Sequence, residues 1–174
     1  MSLVDLACAS CEQDIESVRD LLDNTQVKSK INDFFDKQHL SIENDVNVAN
    51  QTSAIHVACA HSTHSIVTLL VASGARTDQT DSSGNLPVHC ACWSIIDVIE
   101  KLEMLTKRDR TCIQLKDNKG RTPLHIASGS SAPCDVIELL LRRGASTDAA
   151  DDDFDRPIHF ACWSDMEAAV KSTC

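Results

Sequence analysis

The chain has 174 residues, of which 43% are hydrophobic and 24% charged, so it is long enough and apolar enough to bury a substantial core. A formal net charge of −10 argues against a general phosphate-binding surface, and so against direct nucleic-acid binding. No apolar run approaches the length of a membrane span and no secretory leader pattern opens the sequence, so membrane insertion is not expected. The nine cysteines are therefore expected as reduced thiols in an intracellular protein, cytoplasmic first and nuclear second.

One motif recurs along the chain. Gly120-Arg121-Thr122-Pro123-Leu124-His125-Ile126-Ala127 has weaker copies at Gly84–Ala91, Arg156–Ala161 and Ser53–Ala58. Their histidines, His56, His89, His125 and His159, are spaced by 33, 36 and 34 residues. A period near 33 with a T-P-L-H-x-A core is the signature of units built from a turn and two helices. The chain resembles the ankyrin-repeat family on these residues. The resemblance implies an all-α repeat solenoid, an ankyrin stack of about five helix-turn-helix repeats joined by β-hairpin loops. It would form one domain over 1–174, with repeats at about 1–47, 48–80, 81–116, 117–150 and 151–174.

In chain order, residues 3–23 read as a first helix pair. Leu3, Leu6 and Ala7 share one face, Ile15, Val18, Leu21 and Leu22 the next, and charged residues cover the other side. That is the pattern of a terminal cap. Residues 24–47 break the period as an inserted segment. Ile31, Phe34 and Phe35 are expected on one face of a short helix that tucks back onto the stack, and Asp45-Val46-Asn47 resembles a linking hairpin. The second repeat closes its outer helix at Gly74, the expected left-handed terminator. The third carries Val98, Ile99, Leu102 and Leu105, followed by a loop, Lys107-Arg108-Asp109-Arg110, about four residues longer than the usual link. The fourth is the most regular. The fifth is expected to be truncated: Ala168, Ala169 and Val170 begin a second helix that the sequence does not complete, which suggests a piece of a longer protein.

The histidines invite a metal or acid–base role. One per repeat would stand in a row about 10 Å apart, the spacing of packed helices, whereas zinc needs ligands about 2 Å from one point. What the resemblance implies instead is a ring bonded to backbone across the turn. Cys59, Cys92 and Cys162 recur in a small, buried slot, with Ser128 in the fourth repeat, and Cys112 and Cys174 are the expected exposed thiols. Cys8-Ala9-Ser10-Cys11 has no preceding strand and no second pair, so neither a redox nor a zinc site is assigned. Nucleophile-elbow, zincin and phosphate-loop patterns are absent, and Asp151-Asp152-Asp153 with Asp155 lacks the glycine and glutamate of a calcium loop. The expectation is a non-enzyme with no cofactor and no metal.

Ala-Cys-Trp-Ser occurs twice, at 91–94 and 161–164, and supplies both tryptophans. The resemblance maps Trp93, Ser94, Trp163 and Ser164 onto the concave groove, with Gly129 and Ser130 between them as a floor. Lys119 and Arg121 would mark a basic hairpin tip, and Asp152, Asp153 and Asp155 an acidic one. The expected function is protein–protein recognition, a scaffold or adaptor module binding another protein or peptide through groove and tips. The alternative is a regulatory ankyrin segment of a larger enzyme, channel or transcription regulator. A thiol redox or zinc-binding protein ranks third.

Overall fold

The computed structural model describes residues 3–11, 14–36, 51–130 and 132–163. Helix pairs follow one another: α1 (Leu3–Cys11) with α2 (Ile15–Asp23), α4 (Ala54–His61) with α5 (His64–Ala72), α6 (Pro87–Trp93) with α7 (Val98–Arg108), and α8 (Pro123–Gly129) with α9 (Cys134–Arg142). A fifth first helix occupies residues 157–163. The first helices α1, α4, α6 and α8 pack in a row, and the second helices α2, α5, α7 and α9 form a parallel row behind them. Each helix is two to three turns long and marginal alone, so packing between rows supplies the stability.

The core runs continuously between the rows. Leu6, Ile55, Leu102, Leu124 and Leu140 are fully buried, as are Ile66 and Leu70 on α5. Val98, Leu102 and Leu105 face inward on α7, as their spacing predicted, and α7 runs on through Arg108 into a 3-10 turn at Thr111–Gln114. The long loop is thus partly helix. Neighbouring repeats also cap each other's helices: the Asp97 carboxylate of α7's N-cap accepts the His64 N–H that opens α5, at 3.1 Å.

The insert departs from expectation. Its short helix, α3, lies at Thr25–Ser29, before Ile31, which is buried. The helix starts early because the Asn24 side chain caps it, accepting from the Gln26 and Val27 N–H groups. Phe34 is 43% exposed with its ring 6.3 Å from that of His56, and Phe35 opens β1 (Phe35–Asp36), which pairs antiparallel with β2 (Gln51–Thr52). The hairpin expected at Asp45-Val46-Asn47, and the second helix expected at Ala168–Val170, lie outside the described residues.

The three hairpin tips at Asp81, Asp117 and Asp151 are built the same way. The leading aspartate accepts two backbone N–H groups on one oxygen: Asp81 from Ser83 and Asn85, Asp117 from Lys119 and Arg121, Asp151 from Asp153 and Asp155, all within 2.9–3.0 Å. The tips then join across repeats: Ser82 N–H reaches Gln51 O, Asn118 N–H reaches Ser83 O and Asp152 N–H reaches Lys119 O, at 3.0–3.1 Å.

Three of the motif histidines, His56, His89 and His125, use both ring nitrogens. Nδ1 of His89 accepts the Leu86 N–H, and that of His125 the Thr122 N–H, both at 3.1 Å; His56 Nδ1 accepts from Ser53 Oγ at 2.7 Å. A lone pair at Nδ1 leaves the proton on Nε2. From there His56 donates to Gln79 O and Asn85 O at 3.1 Å, His89 to Arg121 O at 3.3 Å and His125 to Asp155 O at 3.1 Å. Every one of these acceptors lies in the loop that leads into the next repeat or in that repeat's tip.

Burial holds these rings neutral. It lowers the pKa of His56 and His125, and takes His89 down to about 4. The unfolded chain keeps its histidines near 6.5, so it takes up protons first as pH falls. For His89 the stability contributed by the neutral ring is present above pH 6.5 and is lost as pH drops toward about 4. Urea unfolding between pH 7 and 4.5 should therefore show a loss that approaches about 1.4 kcal/mol per pH unit from His89 below its unfolded value, with further loss in the same direction from His56 and His125.

Candidate functional site

The two tryptophans sit on alternate helices of the first row, Trp93 at the end of α6 and Trp163 at the end of the 157–163 helix, with α8 between them. They differ in setting. Trp93 is half-buried against the core, and the Arg121 guanidinium lies 5.9 Å from its ring centroid, within cation–π range. Arg121 is itself held by Asp117, with Nε and Nη2 at 2.8 and 2.6 Å from Oδ2. The Asp117 side chain is almost fully buried, so this charge is largely neutralised in place. Of the expected basic tip, Lys119 alone keeps an exposed side chain.

Trp163 is 51% exposed and stands on Phe160, ring centroids 5.4 Å apart. Phe160 meets His125 edge-on, again at 5.4 Å. The fastening histidine of the fourth repeat thus supports an aromatic pair in the fifth. Phe160 was missed in the sequence, although the signal was there: the residue after the motif histidine is Val57, Cys90 or Ile126 elsewhere and aromatic only here. Gly129, expected as an open floor, is the seat of this ring. A Cβ at Gly129 would stand 3.2 Å from Phe160 Cδ1, so the missing side chain admits the phenyl group.

Two of the expected groove serines are committed to the stack. Ser94 is 3% exposed and lies beneath Trp93 in a small polar network. Its Oγ donates to Ile96 O and accepts from Ile96 N–H, both at 3.2 Å, and from Lys101 Nζ at 2.8 Å. Ser130 Oγ, half-buried, shares its proton between Ala127 O at 3.0 Å and Cys92 O at 3.1 Å. The Ser94 hydroxyl is not turned outward, a correction to the groove assignment; Ser164 lies outside the described residues.

The reason is the unsatisfied carbonyls at each first helix's end. Ser62 Oγ donates to Ser10 O, Lys101 Nζ to Cys59 O at 2.9 Å and Ser130 Oγ to Cys92 O, so each repeat closes the preceding helix. Lys101 was also missed. It is fully buried on α7, and burial lowers its pKa to about 8. At neutral pH it remains a cation facing helix C-terminal carbonyls, a favourable end of the helix dipole.

The thiols behave as packing. Burial pushes Cys59 up to about 12 and Cys112 to about 11, and raises Cys90 and Cys92 well above the ordinary range. Thiolate is the reactive form, so these positions are poor nucleophiles and poor metal ligands. Two exposures differ from expectation. Cys112 is buried, because the 3-10 turn folds against α7 and α8 and its Sγ–H donates to Asp109 O. Cys162 is exposed: its counterparts Cys59 and Cys92 are covered by the following repeat, and among the described residues no such repeat lies on 157–163. Among the described residues no three His, Cys, Asp or Glu side chains are grouped to hold a metal ion, and no helix is long and apolar enough to cross a membrane.

At the acidic tip, Asp152 and Asp153 are exposed, while Asp155 is half-buried with Oδ1 3.0 Å from His159 Nδ1. His159 itself keeps the local half of the motif, accepting the Arg156 N–H at 3.0 Å.

Comparison with known proteins agrees with this geometry. Ankyrin repeats in three copies match residues 6–112, and a further ankyrin repeat matches 119–152. The chain belongs to the ankyrin-repeat family. It is similar to the transient receptor potential cation channel subfamily A member 1 of Drosophila melanogaster, 33% identical over 97 residues, which is 55% of this chain and 8% of that protein. It is 25% identical over 157 residues to the tyrosine-protein kinase HTK16 of Hydra vulgaris, covering 90% of this chain and 18% of the kinase. The B-cell lymphoma 3 protein homolog of Mus musculus is 29% identical over 112 residues, 64% of this chain and 25% of its own length. The chain thus spans a quarter or less of each of these three relatives.

Lys101 offers a direct check on how the repeats are joined. Lys101→Ala removes the donor from Cys59 O and leaves a cavity, and should destabilise by about 2–4 kcal/mol in urea unfolding at pH 7. Lys101→Met keeps most of the volume and should cost less.

Proposed function

We propose that this ankyrin stack recognises another protein through the concave side of its third to fifth repeats, with Trp163 as the main anchor. Ankyrin repeats are protein-interaction modules, and the proposal concerns where on this one the partner sits. The carrying observation is the half-exposed Trp163 held by Phe160 on His125. A tryptophan already fixed by packing loses little freedom on binding, and tryptophans dominate interface hot spots. Trp93 contributes the face left beside Arg121, and Lys119, Asp152 and Asp153 supply the polar rim. No catalytic or cofactor role enters this reading.

A second reading makes the stack the regulatory segment of a longer protein. The relatives' lengths favour it: one is a channel and another a kinase, and in each the matched ankyrin part is a small share. The two readings are compatible, since a regulatory stack also works by binding.

Trp163→Ala separates binding from folding. Partners are first identified by proximity labelling in the native cell and then titrated against the purified chain. The variant should lose at least 2 kcal/mol of binding, about thirtyfold in Kd, while its thermal midpoint stays close to that of the parent. Unchanged affinity would rule out Trp163 as the anchor.

A further inference from the structure

The three aligned tips share a left-handed residue three places after the aspartate. In the third and fourth repeats it is glycine: Gly84 at φ 77° and Gly120 at φ 74°. In the fifth it is Phe154, at φ 65° and 84% exposed. A bulky residue in this region is a genuine outlier.

Backbone freedom is only half of what the glycines provide. A Cβ at Gly84 would stand 2.6 Å from Asn118 N, and one at Gly120 would stand 2.7 Å from Asp152 N and 3.0 Å from the Asp151 carbonyl carbon. These are main-chain atoms of the following tip, and the two nitrogens are the donors of the cross-repeat bonds: Asn118 N–H to Ser83 O and Asp152 N–H to Lys119 O. The bare α-carbon is what lets the next tip come close enough to bond. At Phe154 the Cβ is present, with a phenyl group beyond it.

We infer that Phe154 closes the tip ladder: the fifth tip cannot receive another ankyrin hairpin in the geometry that joins the third to the fourth and the fourth to the fifth. The stereochemistry of the tip alone imposes this, whatever residues come after the fifth repeat. Any additional repeat must leave this line, and the phenyl ring with the Asp152 and Asp153 carboxylates remains on the surface. The block stands whether or not Trp163 anchors a partner.

The test extends the full chain past Cys174 with a copy of residues 141–150 and then of 117–150, which restores the 34-residue step from tip to tip. Amide exchange of the copied Asn118 reports whether the new tip bonds to Asp153 O. With Phe154 present that amide should exchange as freely as in a loop. With Phe154→Gly it should be protected at least tenfold more. Equal protection in both chains would overturn the inference. The unextended chain carrying Gly120→Asn provides a second reading, because asparagine tolerates the left-handed region while placing a Cβ, and the carboxamide beyond it, against the next tip. Protection of the Asp152 amide should fall at least tenfold while amides in α4 hold; an Asp152 amide that stays protected would show that a Cβ does not block the next tip.

Discussion

At His56, His89 and His125 a single imidazole joins the first turn of its own helix to the next repeat. Nδ1 takes a donor from the residue three places earlier, closing the first turn of its own helix, and Nε2–H reaches a carbonyl in the loop or tip of the next repeat. Each bond alone contributes only about 1 kcal/mol net, but leaving either partner unpaired in a buried site costs more. That asymmetry fixes register. A helix pair that slid relative to its neighbour would strand a ring nitrogen and a carbonyl together. The tip aspartates, the cross-repeat tip bonds and the serine or lysine at each helix end repeat the same logic at the other contacts between repeats.

Register is also what gives the surface its content. With each first helix fixed by its histidine, the seventh residue of that helix falls at one place on every repeat: Ala60, Trp93, Gly129 and Trp163. The variation among these four makes up the surface proposed here for recognition. It runs from a methyl group, through a cation-capped indole and an open glycine occupied by Phe160, to a half-exposed indole. The scaffold hydrogen bonds are nearly invariant from repeat to repeat, so chemical individuality is confined to what the scaffold does not use.

That division explains how much could be read from the sequence. Period and helix pairs follow from local pattern, because each is specified within one repeat, and the structural use of the histidines followed from the family resemblance. The errors arose where a side chain answers a partner that only the fold brings to it. Ser94 looked free until Lys101, seven residues on, was seen to need it, and Gly129 looked open until Phe160 came in from the fifth repeat. Arg121 read as a free cation because its pairing with Asp117 depends on the fold of the tip. Cys112 read as exposed because the long loop was not recognised as a packed turn. Phe154 went unnoticed because its meaning comes from alignment with Gly84 and Gly120 and from the tips that abut them.

Neutral, Nε2-protonated histidines pin consecutive repeats, and the rest of the stack depends on them. Nitrogen-15 NMR of the imidazoles at pH 7 tests this directly, since the two ring nitrogens of each tautomer have distinct shifts and couplings. The expected result is a proton on Nε2 and a bare, accepting Nδ1 at His56, His89 and His125. A protonated Nδ1 at these positions, whether in the other tautomer or in an imidazolium ring, would contradict it.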